Sequence, residues 1–147
     1  MIVIAVASLL FLDQLSKYLA IHHLPLNQPQ PLVKGVLYLT LVYNRGAAFG
    51  ILKNHTFVFI LASLFAVVLI ARQLHAKGRD RLYAASLVLI LSGALGNLID
   101  RLLRGHVVDF LDFRVWPVFN VADSAITVGT VLLAYSLIFH GKNKEGV

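Results

Sequence analysis

The sequence predicts an all-α integral membrane protein: four transmembrane helices with a small extracytoplasmic region of strand and loop. Three observations carry that class. Hydrophobic residues make up 59% of the 147 positions and charged residues 14%, against roughly 45–50% and 25% in soluble domains, and a soluble fold of this size cannot hide so much apolar surface. Four stretches, 2–22, 56–74, 82–103 and 121–139, approach the 20 or so helical residues that cross about 30 Å of hydrocarbon. All four prolines (25, 29, 31 and 117) lie between these stretches, where irregular backbone is tolerated. The length allows one domain, residues 1–147.

The first span does not read as a cleaved signal. It has no basic leader, carries Asp13 and Lys17 where a cleavage site would approach, and offers no A-x-A, so it is expected to be retained and to depend on later loops for insertion. The 23–55 connection is too long for a turn; within it VLYLTLVY (36–43) is β-branched and aromatic with rough alternation, the pattern of a strand, followed by the turn NRG and then AAFG. The loop RQLHAKGRDR (72–81) holds four of the thirteen basic residues and the tail GKNKEG (141–146) two more. With four spans these two segments share a side, which their short, featureless basic sequence marks as cytoplasmic. The seven other basic residues are dispersed, most of them beside Asn, Asp or Gly in motif-like contexts, so the net charge of +6 forms no stripe or arm for nucleic acid. The connection RGHVVDFLDFRVWPVF (104–119) is mixed apolar and acidic, with Trp116 and Phe119 suited to an interfacial belt.

Ionisable residues in or beside spans mark function by default. Five of the six aspartates, Asp13, Asp100, Asp109, Asp112 and Asp123, map to the outer half of the molecule. Asp13 and Lys17 share a helix face at i,i+4, a neutralised pair or a device that orients a site. In SGALGNLIDRL (92–102), Ser92 and Gly96 permit close helix packing, and Asn97, Asp100 and Arg101 follow on one face, either as a polar clasp between helices or with Arg101 as a charged donor to a substrate carbonyl. Asn120 can cap the fourth span, with Asp123 in its first turn, where the helix dipole favours a carboxylate. Asp109, Asp112 or Asp100 can meet Asp123 across the bundle. Two close carboxylates share a proton, so one can deprotonate water while the other donates to a scissile carbonyl. Rival chemistries lack their residues: there is no cysteine, no G-x-S-x-G elbow around Ser92 or Ser124, no H-E-x-x-H metal spacing among six histidines, and no phosphate-binding glycine loop. No metal or cofactor is expected.

DQLSKYLA, VYNRGAAFG, GALGNLIDR with VVDF downstream, and FNVADSAITVG occur in the order found in the lipoprotein signal peptidases (signal peptidase II, or prolipoprotein signal peptidase), which the chain resembles from Asp13 to about Gly129. The resemblance implies a bacterial inner-membrane aspartic peptidase with four transmembrane helices, both termini cytoplasmic and a small extracytoplasmic β-sheet formed around residues 36–50. It implies that the substrates are diacylglyceryl-modified prolipoprotein signal peptides, cut before the lipid-modified cysteine, and that membrane lipid and globomycin-type inhibitors are partners. Carried over residue by residue, the catalytic pair is Asp109 and Asp123, Asn44 and Arg101 hold substrate backbone, and Asp13, Lys17, Asn97, Asp100 and Asn120 brace the site. One departure is the connection of fourteen positions (123 − 109) between the two acids, short for the family.

A small four-helix proton-coupled exporter is the main reading from another class. It needs a carboxylate near the midplane; Asp13 is the best candidate, blunted by Lys17, and Glu145, the only glutamate, lies in the tail. An assembly subunit would not need five aspartates on one side.

Overall fold

The computed structural model describes residues 1–46, 56–75 and 80–139. The AAFG segment, part of the basic 72–81 loop and the C-terminal tail lie outside the described residues. In chain order the elements are α1 (Ile2–His23), β1 (Gln30–Val33), β2 (Leu37–Asn44), α2 (Thr56–His75), α3 (Arg81–Arg104), β3 (Val107–Asp112) and α4 (Val121–Phe139). All four helices are long and apolar enough to cross a membrane, and each end falls within one residue of its predicted span.

α3 is the hub of the bundle and packs against α1, α2 and α4. Its buried face runs from Ser86 to Asp100, whereas α2 buries none of its residues and turns Phe57, Leu61 and Phe65 outward, as a helix does against lipid rather than water. Small residues set the close approaches. A Cβ on Gly93 would collide with the Ala122 carbonyl, and one on Gly129 would stand 2.8 Å from Ser86 O, so this pair lets α3 and α4 meet. Gly96, expected to serve helix packing together with Ser92, also leaves room for a carboxylate: a Cβ there would lie 2.5 Å from Asp13 Oδ2.

The sheet is antiparallel in the order β1-β2-β3. β2 is the strand the sequence predicts at 36–43; the other two are additions. β1 carries Pro31, which lacks a donor but is accommodated because the strand is an edge. β3 hides from pattern reading because all its residues but Leu111 are buried, so it shows no polar-out alternation, and its two aspartates stand three apart. Val108 and Phe110 pack with Ala20 and Leu41 in the core between sheet and α1; Asp109, between them, points to the opposite face.

Two chain reversals fix where β3 runs. Gly105 ends α3 with φ of 73°, its N–H bonded to Arg101 O, a left-handed conformation that glycine adopts without penalty. Beyond β3, Phe119 exchanges backbone bonds with Leu111 at 2.8 and 3.0 Å, so the chain loops out through residues 113–118 and returns to start α4 beside β3.

Candidate active site

The α4 N-terminus is capped reciprocally. Asn120 Oδ1 accepts the Asp123 N–H at 2.9 Å, and Asp123 Oδ2 accepts the Asn120 N–H at 3.3 Å, the geometry of a capping box. The Ala122 N–H, which would otherwise be orphaned in the first turn, donates to Asp13 Oδ1 at 2.8 Å. Asp13 in α1 therefore caps α4.

Beneath this cap lies a buried ion network. Lys17 Nζ, wholly inaccessible, sits 2.9 Å from Asp13 Oδ2 and 2.8 Å from Asp100 Oδ2 and donates to Asn97 Oδ1 at 3.0 Å. Its three donors thus have three acceptors. Asp100 also accepts the Val108 N–H at 3.2 Å, Arg104 Nη1 at 2.6 Å and Gln14 Nε2 at 3.2 Å, which ties α3 to β3 and to α1. Among the described residues no buried side-chain nitrogen or oxygen lacks a partner, so the network satisfies the condition under which buried charge is tolerable.

The network ends on two carboxylates. Asn97, its carbonyl engaged by Lys17, turns its amide to Asp123 Oδ1 at 2.7 Å. Asn120 Nδ2 contacts Asn97 Oδ1 at 3.2 Å, Val108 O at 3.2 Å and Asp109 Oδ1 at 2.7 Å. Asn44, at the end of β2, donates to Asp109 Oδ2 at 3.0 Å. Asp109 and Asp123 line one cleft of about 250 Å³ with Asn44, Asn97, Arg101 and Trp116. Asp109 is 2% exposed; burial first, and then the negative charge of Asp123, push its carboxyl up to about 7, against the hydrogen bonds from Asn44 and Asn120. Arg101 lies over the Phe59 ring at 5.2 Å from its centroid, with its guanidinium in the cleft wall.

Of the acids the spacing left open, only Asp109 joins Asp123 in this cleft. Asp112 accepts from Thr40 Oγ1 at 2.7 Å and from the Arg114 N–H at 2.8 Å, and Asp100 is held by Lys17 and Arg104. Asn44, Arg101, Asn97 and Asn120 reach one or both acids or their cleft, while Asp13 and Lys17 act from behind. Asp13, on which an exporter would depend, is bound by Lys17 and by the α4 cap. Gln14 and Arg104 were missed: Gln14 bridges Asp13 at 3.1 Å to Asp100, and the i,i+4 spacing of Asp100 and Arg104 was the available signal.

Fold and site together define a multi-pass membrane protein with two carboxylates converging at one end of its helix bundle. The chain belongs to the signal peptidase (SPase) II family, which it matches over residues 4–139. It is 46% identical over 142 residues to the lipoprotein signal peptidase of Caldanaerobacter subterraneus subsp. tengcongensis, covering 96% of this chain and 98% of that protein. It is 44% identical over 150 residues to the lipoprotein signal peptidase of Clostridioides difficile, covering 97% and 98%. Its fold matches a bacterial membrane enzyme solved by the in meso method at 2.3 Å resolution, with a TM-score of 0.91, 28% identity, and coverage of 99% of this chain and 92% of the other.

Proposed function

We propose that this protein is an aspartic endopeptidase of the bacterial cell membrane that removes the signal peptide from diacylglyceryl-modified prolipoproteins, cutting before the lipid-modified cysteine. The observation that carries the reading is the convergence of Asp109 and Asp123 on one cleft, each held by asparagine amides; family membership supplies the substrate class.

Asp109, its carboxyl raised to about 7, is the acid of the pair that carries the proton, and it donates it to the scissile carbonyl oxygen as water attacks the carbon. Asp123, in the first turn of α4, takes the proton from that water to give a gem-diol; as the C–N bond breaks it passes this proton to the leaving amine while a gem-diol hydroxyl returns a proton to Asp109, so that both acids regain their starting states after one hydrolysis. Arg101 and Asn44 hold the substrate backbone across the acids. Lys17 and Asn97 fix the orientation of the Asp123 carboxylate. The peptide is cut at the extracytoplasmic face, with both chain termini in the cytoplasm, so the diacylglyceryl chains stay in the outer leaflet throughout.

Cleavage of a synthetic diacylglyceryl-modified precursor by the purified protein tests this. Asp109→Asn and Asp123→Asn are expected to lose about 10³-fold or more in rate while keeping the helical circular dichroism of the parent. Retained cleavage by Asp123→Asn would overturn the mechanism.

A further inference from the structure

α2 buries none of its residues, but its first turn is docked. Thr56 Oγ1 donates to Gly105 O at 3.4 Å. One turn on, the Arg101 guanidinium lies over the Phe59 ring at 5.2 Å from its centroid, inside the roughly 6 Å over which a ring face attracts a cation. Thr56, Phe59 and Ile60 are half-buried on one helix face, whereas Phe57 and Val58 between them are exposed. Arg101 in turn lines the cleft that Asp109 and Asp123 share. An aromatic face of α2 thus stands behind the cleft's cation.

The position of that cation poses a problem. A guanidinium is always charged, and its fork fits a carboxylate in a bidentate pair. Two carboxylates stand in the same cleft, yet among the described residues Arg101 forms an ion pair with neither. Its Nη1 donates instead to Asn97 O, one turn back on its own helix, at 3.5 Å. The other charged and titratable groups around the acids are engaged elsewhere: Lys17 by Asp13 and Asp100, Arg104 by Asp100, and His106 by stacking on Tyr43 at 4.4 Å. A direct pair with Arg101 would fix its acid as a carboxylate, unable to share a proton with its neighbour or to pass one on. It would also consume the donors that a substrate carbonyl needs.

Given the peptidase reading above, we propose that Phe59 is a positioning residue: its ring holds the Arg101 guanidinium on the cleft wall, within reach of the substrate backbone and off both acids. The ring attracts the cation through its face, with no negative charge and no proton of its own, so it anchors the guanidinium and leaves the N–H donors available. A carboxylate or amide in its place would take those donors. Without the ring the guanidinium is free to close on Asp109 or Asp123. α2 thereby does more than cross the membrane, since its first turn sets the distance between the cation and the acid pair.

Cleavage of the diacylglyceryl-modified precursor is measured against pH for Phe59→Leu, Phe59→Met, Phe59→Tyr and Phe57→Leu, with thermal unfolding in detergent as the check on folding. Phe59→Leu and Phe59→Met keep an apolar side chain of similar size but no ring face. Their kcat/KM is expected to fall by about tenfold or more at neutral pH. Their alkaline midpoint, near 7 in the parent, is expected to move down by about one pH unit or more as Arg101 closes on the acids. Phe59→Tyr restores the face and is expected to keep the parental midpoint. Phe57→Leu removes a ring that is 69% exposed on the opposite side of the same turn and is expected to match the parent in both respects. A parental midpoint in Phe59→Leu and Phe59→Met overturns the proposal even if they are less stable, because lost packing alone lowers the unfolding temperature without moving a titration. The same downward shift in Phe57→Leu, or in Phe59→Tyr, overturns it as well. Continued cleavage by Asp109→Asn would instead remove the peptidase reading itself, which a failure of the Phe59 variants leaves standing.

Discussion

Asp109 lies outside the spans, on β3, and its carboxyl is raised from 3.8 to about 7 by burial and then by the charge of Asp123. The folded protein therefore keeps a proton that the unfolded chain releases above about pH 4. The stability contributed by that proton is complete below the unfolded value and is lost as pH rises through about 7. If the same proton is the one donated to the scissile carbonyl, kcat/KM falls on the alkaline side with a midpoint near 7, and a pH–rate profile of precursor cleavage reads it directly. Lys17 poses the reverse problem, a wholly buried cation between two buried carboxylates. Removing it in Lys17→Met leaves Asp13 without its buried counter-ion and Asp100 with Arg104 alone, and a loss of about 3–5 kcal/mol is expected. Thermal unfolding in detergent measures the loss; an unchanged midpoint would mean that the pairing contributes little.

The helices hold these residues through contacts between elements. α4 starts where it does because Asn120 and Asp13 satisfy its first N–H groups, and it lies close to α3 because Gly93 and Gly129 carry no Cβ. Gly93→Leu is expected to destabilise the bundle by more than an ordinary surface substitution, by about 2 kcal/mol or more, and to reduce cleavage, since Asn97 lies one turn along the same helix. A conservative exchange on lipid-facing α2, such as Leu61→Ile, is expected to leave both thermal midpoint and cleavage within error. Equal effects of the two variants would remove the special role assigned to the α3–α4 contact. β3 depends on a different device: Gly105 turns the chain out of α3, and Asp100 takes the Val108 N–H, which places Asp109 opposite Val42 of β2 and beside the start of α4.

At the scale of the whole molecule, α2 starts beside the end of α3 that leads into β3, with Thr56 donating to Gly105 O, so His75 at its far end and Arg81 at the start of α3 lie on the side away from the sheet. The chain has no cysteine, so single introduced thiols report sidedness cleanly. Val115→Cys, at the tip of the 113–118 loop and 91% exposed, is expected to react with a membrane-impermeant maleimide added to intact spheroplasts. Asp80→Cys, also exposed, is expected to react only after permeabilisation. The reverse pattern would invert the proposed orientation and place the acid pair at the cytoplasmic face.

Span number and span ends were legible in the sequence, because length and hydropathy answer to bilayer thickness, which is a local property of each segment. Strand β2 was legible for the same kind of reason, its alternation and β-branched residues being contained in eight consecutive positions. Asn120 as a cap and Asp123 in a first turn were likewise local. Strands β1 and β3 were not, since Pro31 is permitted only by an edge position and the burial of β3 depends on what covers it. Nor could spacing choose among Asp100, Asp109 and Asp112 as the partner of Asp123. Resemblance to a family named Asp109, but the physical reason is tertiary: Lys17 from α1 neutralises Asp100, Thr40 from β2 occupies Asp112, and Asn44 and Asn120 turn Asp109 into the cleft. The sequence by itself determined that this chain crosses a membrane four times with its acids gathered at one side. Which acids face each other was decided only when three helices and a sheet closed around them, because a carboxylate's partners across the bundle lie up to 109 positions away in the chain.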